Sequence, residues 1–311
     1  MKKKMSLLLT FVLILGISTN ALAMDNAEDS SESYKVLLPE TFSFDVTMDE
    51  IANSIDQYIV EHNMKINRNT EEYAELLHNF CFSDFPDLTE TELRYYQAYA
   101  SVYLSKPMSI SNYVLEDNRT IGEIKEKNQQ LTEKLITAAE QWQPDKVNFR
   151  FSAYDLYAAR EYAHTYALTP NPNFDYHFIR GDCTNFASQI LYAGGMSPNS
   201  EWTFDKSNEL GHIPWINANA FMEYWTITRG FMGPVCRSVN DVKNAADAGD
   251  FIAWHNKDTY AFYHIQFVQT KTADREIYCT QHTPNYYNEK FSSRVSDSAF
   301  KNEYVMIIDF Y

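Results

Sequence analysis

From Thr47 to Thr228 apolar residues return every three to four positions, and after Val239 they alternate with polar ones or form short continuous runs. That change of period predicts helices first and strands afterwards. Thr47 with Glu50 and Thr89 with Glu92 have the capping-box spacing that opens a helix. The first box is followed by a face of Ile51, Ile55, Tyr58 and Ile59, the second by Tyr95, Tyr96, Tyr99 and Tyr103. Between them a helix is expected over 71–80. A long charged helix over 118–142 carries Ile121, Ile124, Leu131, Leu135 and Ile136 as its stripe. Ser152 and Asp155 open a further helix with Tyr154, Tyr157, Ala158, Tyr162, Ala163 and Tyr166 inward, and residues 217–228 predict another. Strands are expected over 251–254, 262–269, 276–282 and 303–310, with a weaker one over 36–46. The order describes an α+β fold: helices, then an antiparallel meander.

Within this pattern the run from Asp182 to Gly195, DCTNFASQILYAGG, is the richest in chemistry. Asp182 is placed to cap a helix, Phe186, Ile190 and Leu191 share its buried face, and the double glycine stops it. Cys183 then falls in the first turn, where the helix dipole and unpaired amides favour a thiolate. On the strand FYHIQFVQ, strict alternation places Phe262, His264, Gln266 and Val268 on one face and Tyr263, Ile265 and Phe267 on the other. His282 ends the next strand, one ladder step away. A cysteine nucleophile, a histidine base and an orienting group form a known catalytic set, so Cys183, His264 and His282 are the candidate catalytic residues. Gln281 and Asn285 are alternatives to His282 as third member. Tyr176 is a candidate second oxyanion donor beside the Cys183 amide. Trp202, Trp215 and Trp225 read as core, with a groove wall as the alternative. His62 and His78 stand alone on helical stretches and read as surface or satisfied core.

These residues carry a family resemblance. YDLYAAREYA (154–163), NPNF (171–174), the 182–195 run, Gly249-Asp250, His264 and His282-Thr283-Pro284 resemble the amidase domain of secreted Gram-positive proteins. That family is similar to the NlpC/P60 and CHAP cysteine peptidases. The resemblance covers residues 149–311 and implies a papain-like domain with Cys183 as nucleophile, His264 as base and His282 as third member. Leu156 stands where a basic residue is expected, and Tyr263 and Ile265 are bulkier than the family's flanks. The region 35–148 resembles no named family, and Gln143–Asn148 is the expected boundary between the two.

Composition narrows the setting. Residues 1–23 begin with Lys2, Lys3 and Lys4, continue through an apolar centre, and end Ala21-Leu22-Ala23, the plan of a cleaved secretory leader. Residues 24–34 read as a disordered lead-in. The net charge is −16, and losing a leader with three lysines and no acid leaves −19. So acidic a chain is a poor nucleic-acid binder, and no later run is apolar enough for stable membrane insertion. No cofactor is implied. No metal is either, because no close ligand pair such as CxxC or HxxxH occurs. Cys81, Cys183, Cys236 and Cys279 are too few in 311 residues for a disulfide framework. The expected protein is a secreted cysteine amidase or peptidase acting on a peptide or peptidoglycan-derived amide. A non-catalytic binding module and an acyltransferase are its alternatives, and oligomeric state is left open.

Overall fold

A computed structural model describes residues 38–105, 118–142, 154–174, 181–205, 210–211 and 213–310. The leader, the lead-in, the 143–148 boundary and Tyr176 lie outside the described residues.

Both expected capping boxes close, at Thr47 and Thr89, and a third forms at Thr120. They open α1 (Met48–Glu61), α3 (Glu90–Leu104) and α4 (Ile121–Glu140), with α2 (Glu71–Phe82) capped by Thr70. Then come α5 (Leu156–Tyr166), α6 (Cys183–Ala193), the short pair β1 (Phe204–Asp205) and β2 (Leu210–Gly211), α7 (Ile213–Ile216) and α8 (Ala218–Met222). A π-helical stretch, Glu223–Thr228, continues α8. The remainder is β3 (Val235–Cys236), α9 (Val239–Ala245), β4 (Phe251–Asn256), β5 (Phe262–Lys271), β6 (Ile277–Gln281), β7 (Tyr286–Lys290), α10 (Phe291–Arg294) and β8 (Glu303–Ile308). The expected strand over 36–46 does not form in its described part. Those residues run as a loop that ends in one bridge, Thr47 to Thr120.

Six strands make one antiparallel sheet in the order β3-β8-β4-β5-β6-β7. The central strands β4 and β8 are buried on both faces, so their apolar runs are continuous rather than alternating. One face (Ile252, Trp254, Tyr263, Val305, Ile307) shares a core with α1, α2 and α3. The other (Phe251, Ala253, Ile265, Phe267, Met306, Ile308) packs with α5, α6 and α8. Helix α4 belongs to both cores, with Ile121 and Ile124 in the first and Leu135 in the second. The helical first half is thus one layer of a three-layer unit: residues 35–311 form one compact body.

Two local expectations are corrected. In α5 the buried residues are Ala159 and Ala163, while Tyr157 is 74% exposed. Small side chains face α6, and Gly194 donates the closest approach: a Cβ there would lie 2.7 Å from the Tyr154 ring. In β5 a bulge sets His255 opposite Phe262 and Trp254 opposite His264, skipping Tyr263. The extra residue exchanges the faces of Phe262 and Tyr263 relative to strict alternation. Phe262 joins the α5–α8 core and Tyr263 the α1–α3 core.

Candidate active site

Helix α6 presents Cys183 at its first position, as the sequence predicts. Asp182, however, does not cap it. Its backbone is already helical (φ −71°, ψ −5°), and its side chain turns to accept from Asn185 Nδ2 at 2.8 Å. The Asp182 side chain makes no cap hydrogen bond to the first turn, and the Asp182 amide itself donates to the Thr283 hydroxyl at 3.1 Å. The sulfur rests against the edge of β5 beside His264. The thiol donates to the Tyr263 carbonyl at 3.7 Å and receives the Ile265 amide. Cys183 is 2% exposed, and burial pushes its thiol up to about 11. The expected thiolate is therefore not the resting form: desolvation outweighs the helix dipole.

His264 occupies the sheet face turned towards α2, and a chain of amides fixes its proton. Trp254 Nε1 can only donate, and it donates to Gln266 Oε1 at 2.7 Å. Gln266 must then offer its amide nitrogen, which donates to Gln281 Oε1 and to the Tyr286 hydroxyl, both at 2.7 Å. With Gln281 Oε1 thus an acceptor, the His264 Nε2 at 2.7 Å from it carries a hydrogen. The Gln281 amide nitrogen points the opposite way, to the Pro284 carbonyl at 3.1 Å. A neutral His264 therefore keeps its lone pair on Nδ1, the arrangement a general base needs. Burial pulls its imidazolium form down to about 4, so the ring is neutral at pH 7. No hydrogen bond joins it to Cys183 among the described residues.

His282 lies elsewhere than expected. Its Nδ1 bonds Asp182 Oδ2 at 2.5 Å, its Nε2 donates to the Tyr166 carbonyl at 2.9 Å, and its ring stacks on Phe186 at 3.8 Å and 6°. Both nitrogens are occupied, and neither reaches His264. The residue that holds His264 is Gln281, the alternative from the same strand end. Strand alternation is the reason: Gln281 shares the face of His264, and His282 points to α6. Asn285 accepts from the Thr283 amide instead. Asn185 and Ser188 brace Trp215 and Trp202, and Trp202, Trp215 and Trp225 are all core. All four cysteines are free and buried.

The sequence reading missed what the first half contributes. His78 of α2 meets the His264 ring edge-on at 4.9 Å, and Phe82, one turn later, covers both rings. The i, i+4 pair His78 and Phe82 on an inward helical face was the available signal.

Residues 153–306 match the family described as "Putative amidase domain". The match holds α5, α6 and nearly the whole sheet, hence Cys183, His264, Gln281 and His282, and stops short of α1–α4. Amide hydrolysis is the activity this family suggests. The chain is also 34% identical over 142 residues to the uncharacterized protein YjcM of Bacillus subtilis (strain 168), covering 43% of this chain and 32% of that protein. The chain thus spans about a third of the length of this curated relative. No solved structure matches. Among the described residues, no helix is long and apolar enough to cross a membrane, and no cluster of His, Cys, Asp or Glu could hold a metal ion.

Proposed function

We propose that the protein is a secreted, papain-like cysteine amidase or peptidase. Cys183 is the nucleophile, His264 Nδ1 the base and Gln281 the group that orients the base. The observation that carries this reading is the His264 tautomer, with Nε2–H tied to Gln281 and the lone pair left on Nδ1, on the strand against which the Cys183 sulfur rests.

With a protonated thiol and a neutral imidazole, the reaction runs by general-base catalysis rather than from a standing ion pair. Cys183 leaves the Tyr263 carbonyl as substrate enters. Its sulfur bonds to the amide carbon while its proton passes to His264 Nδ1. The Cys183 amide stabilises the oxyanion. The carbon–nitrogen bond breaks as His264 returns the proton to the leaving amine. Water then attacks the thioester, gives its proton to His264, and releases the acid and the thiol. The leader-like residues 1–23 support action outside the cell on peptide or peptidoglycan amides. The strongly acidic chain makes recognition through shape and hydrogen bonds more effective than electrostatic attraction to an anionic wall.

A second reading, a non-catalytic extracellular binding module on the same fold, is favoured by the burial of the Cys183 sulfur and its bond to a backbone carbonyl. Hydrolysis of a panel of peptide and peptidoglycan-fragment amides separates the two. The amidase reading requires product formation that falls at least a thousandfold in Cys183→Ala and about 10²–10⁴-fold in His264→Ala. Iodoacetamide should label Cys183 at a rate that keeps rising from pH 7 to 9, because the thiol ionises only near 11. No turnover together with Cys183 labelling no faster than Cys81 establishes the binding module.

A further inference from the structure

Three further described histidines do different work. His282 is consumed by Asp182 and Tyr166, and His255 packs between Thr132 and Tyr304 at the far end of β4. His78 is different, because it comes from outside the family-matched segment and touches the candidate base. Its ring is 7% exposed. Its Nε2 lies 3.3 Å from the Gln281 amide nitrogen, and its Nδ1 has no hydrogen-bond partner among the described residues. The Gln281 nitrogen is a donor, as the chain from Trp254 establishes, so His78 Nε2 accepts and the His78 proton sits on Nδ1.

We propose that His78 is a positioning residue of the active site: by accepting the second amide proton of Gln281, it holds the Gln281 carbonyl towards His264 Nε2 and so fixes the tautomer of the base. The inference rests on the assignment of His264 as base. It gives the helical first half a definite role, since α2 supplies a side-chain acceptor beside the two backbone carbonyls, Thr283 and Pro284, with which the matched segment holds the same amide. Gln281 has two amide hydrogens; one is shared by the Pro284 carbonyl at 3.1 Å and the Thr283 carbonyl at 3.4 Å, and the other is held by His78. Without His78 the amide rotates more freely. The carbonyl then spends part of its time away from Nε2, and the imidazole proton redistributes to Nδ1, where it blocks proton uptake.

The test uses the full mature chain labelled with ¹⁵N-histidine. Long-range ¹H–¹⁵N spectra at pH 7.5 report which ring nitrogen of His264 bears the proton, the signal being assigned with His264→Asn. The wild type should show the Nε2–H form. His78→Leu, which preserves an apolar filling under Phe82, should show a mixture of tautomers and a Cys183 iodoacetamide rate about fivefold lower, the weight of one neutral hydrogen bond. His78→Gln restores an acceptor and should return both signals to wild type. An unchanged tautomer in His78→Leu, or a change that His78→Gln does not reverse, overturns the proposal. A Cys183 labelling rate indifferent to His264→Ala overturns the cysteine–histidine assignment instead, and the tautomer spectra then still decide the role of His78.

Discussion

Removing His282 should damage the protein's stability far more than the chemistry of His264, and the size of the effect follows from its contacts. The side chains of Asp182 and His282 are each 2% exposed and bonded to one another at 2.5 Å. His282→Ala deletes the ring and leaves the Asp182 carboxylate buried with Asn185 as its named donor. Breaking a buried pair from one side costs about 3–5 kcal/mol, because the remaining charge is uncompensated. Losing the parallel stack on Phe186 adds roughly 0.5–1.5 kcal/mol. At about 2.1 cal/mol/K per residue over residues 35–311, a melting temperature lower by about 6–11 °C is expected by circular dichroism. Asp182→Asn in the same background removes the charge that has lost its imidazole, so the double variant should recover about 2–3 kcal/mol of that loss in a urea-denaturation cycle. Gln281→Leu should behave the other way round, with turnover lower by tenfold to a hundredfold (on the order of the second-shell losses seen at other sites) and a smaller fall in melting temperature. A His282→Ala protein that melts within about 3 °C of wild type, or additive single effects, would refute the pair as the anchor of helix α6.

Acid should weaken the fold through its buried imidazoles. Burial lowers His255 to about 3 and His264 to about 4, below the ordinary 6.5. Their contribution is therefore complete above pH 6.5 and lost as pH falls towards 4. For His264 alone this is on the order of 3 kcal/mol, and urea midpoints taken across pH 4–7 should flatten in His255→Phe. Asp250 has the opposite sign: burial raises its carboxyl to about 8, so its contribution is present below pH 4 and lost as pH rises towards 8. Asp250→Asn should remove that alkaline decline. Gly194→Ala would drive a methyl into the Tyr154 ring and against Ala159, and should cost about 1–3 kcal/mol, measured by thermal unfolding.

The parts of this fold that were legible in the sequence are those governed by local rules. Thr47–Glu50 and Thr89–Glu92 announce their helices because a capping box is closed by residues three apart. The helix at Cys183 and the strands of the meander follow from periodicity in the same way. The face of Tyr263 was not legible, since a bulge depends on the partner strand and strict alternation holds only while each residue has one opposite. The charge state of Cys183 was misjudged for a related reason. A helix N-terminus is visible in sequence, whereas the burial that raises the thiol is a property of the folded packing, in which the sulfur meets the Tyr263 carbonyl eighty residues later.

The orienting group shows the same division at the scale of one strand. His282 and Gln281 are neighbours in sequence, and both were candidates to hold the base, but a strand sends consecutive side chains to opposite faces. The choice therefore depended on which face carries His264, and that is settled by the register of β5 with β4 and β6 rather than by residue type. Histidine was the more suggestive residue; the amide has the right position. His282 instead ties the strand end to the helix that carries Cys183, so two adjacent residues serve the two halves of the site from opposite sides of the sheet. His78 extends the argument across the layers. A histidine in a helix 186 positions before His264 carries no signal beyond its i, i+4 spacing to Phe82, and the two histidines meet only because α2 covers the face on which Gln281 and His264 lie.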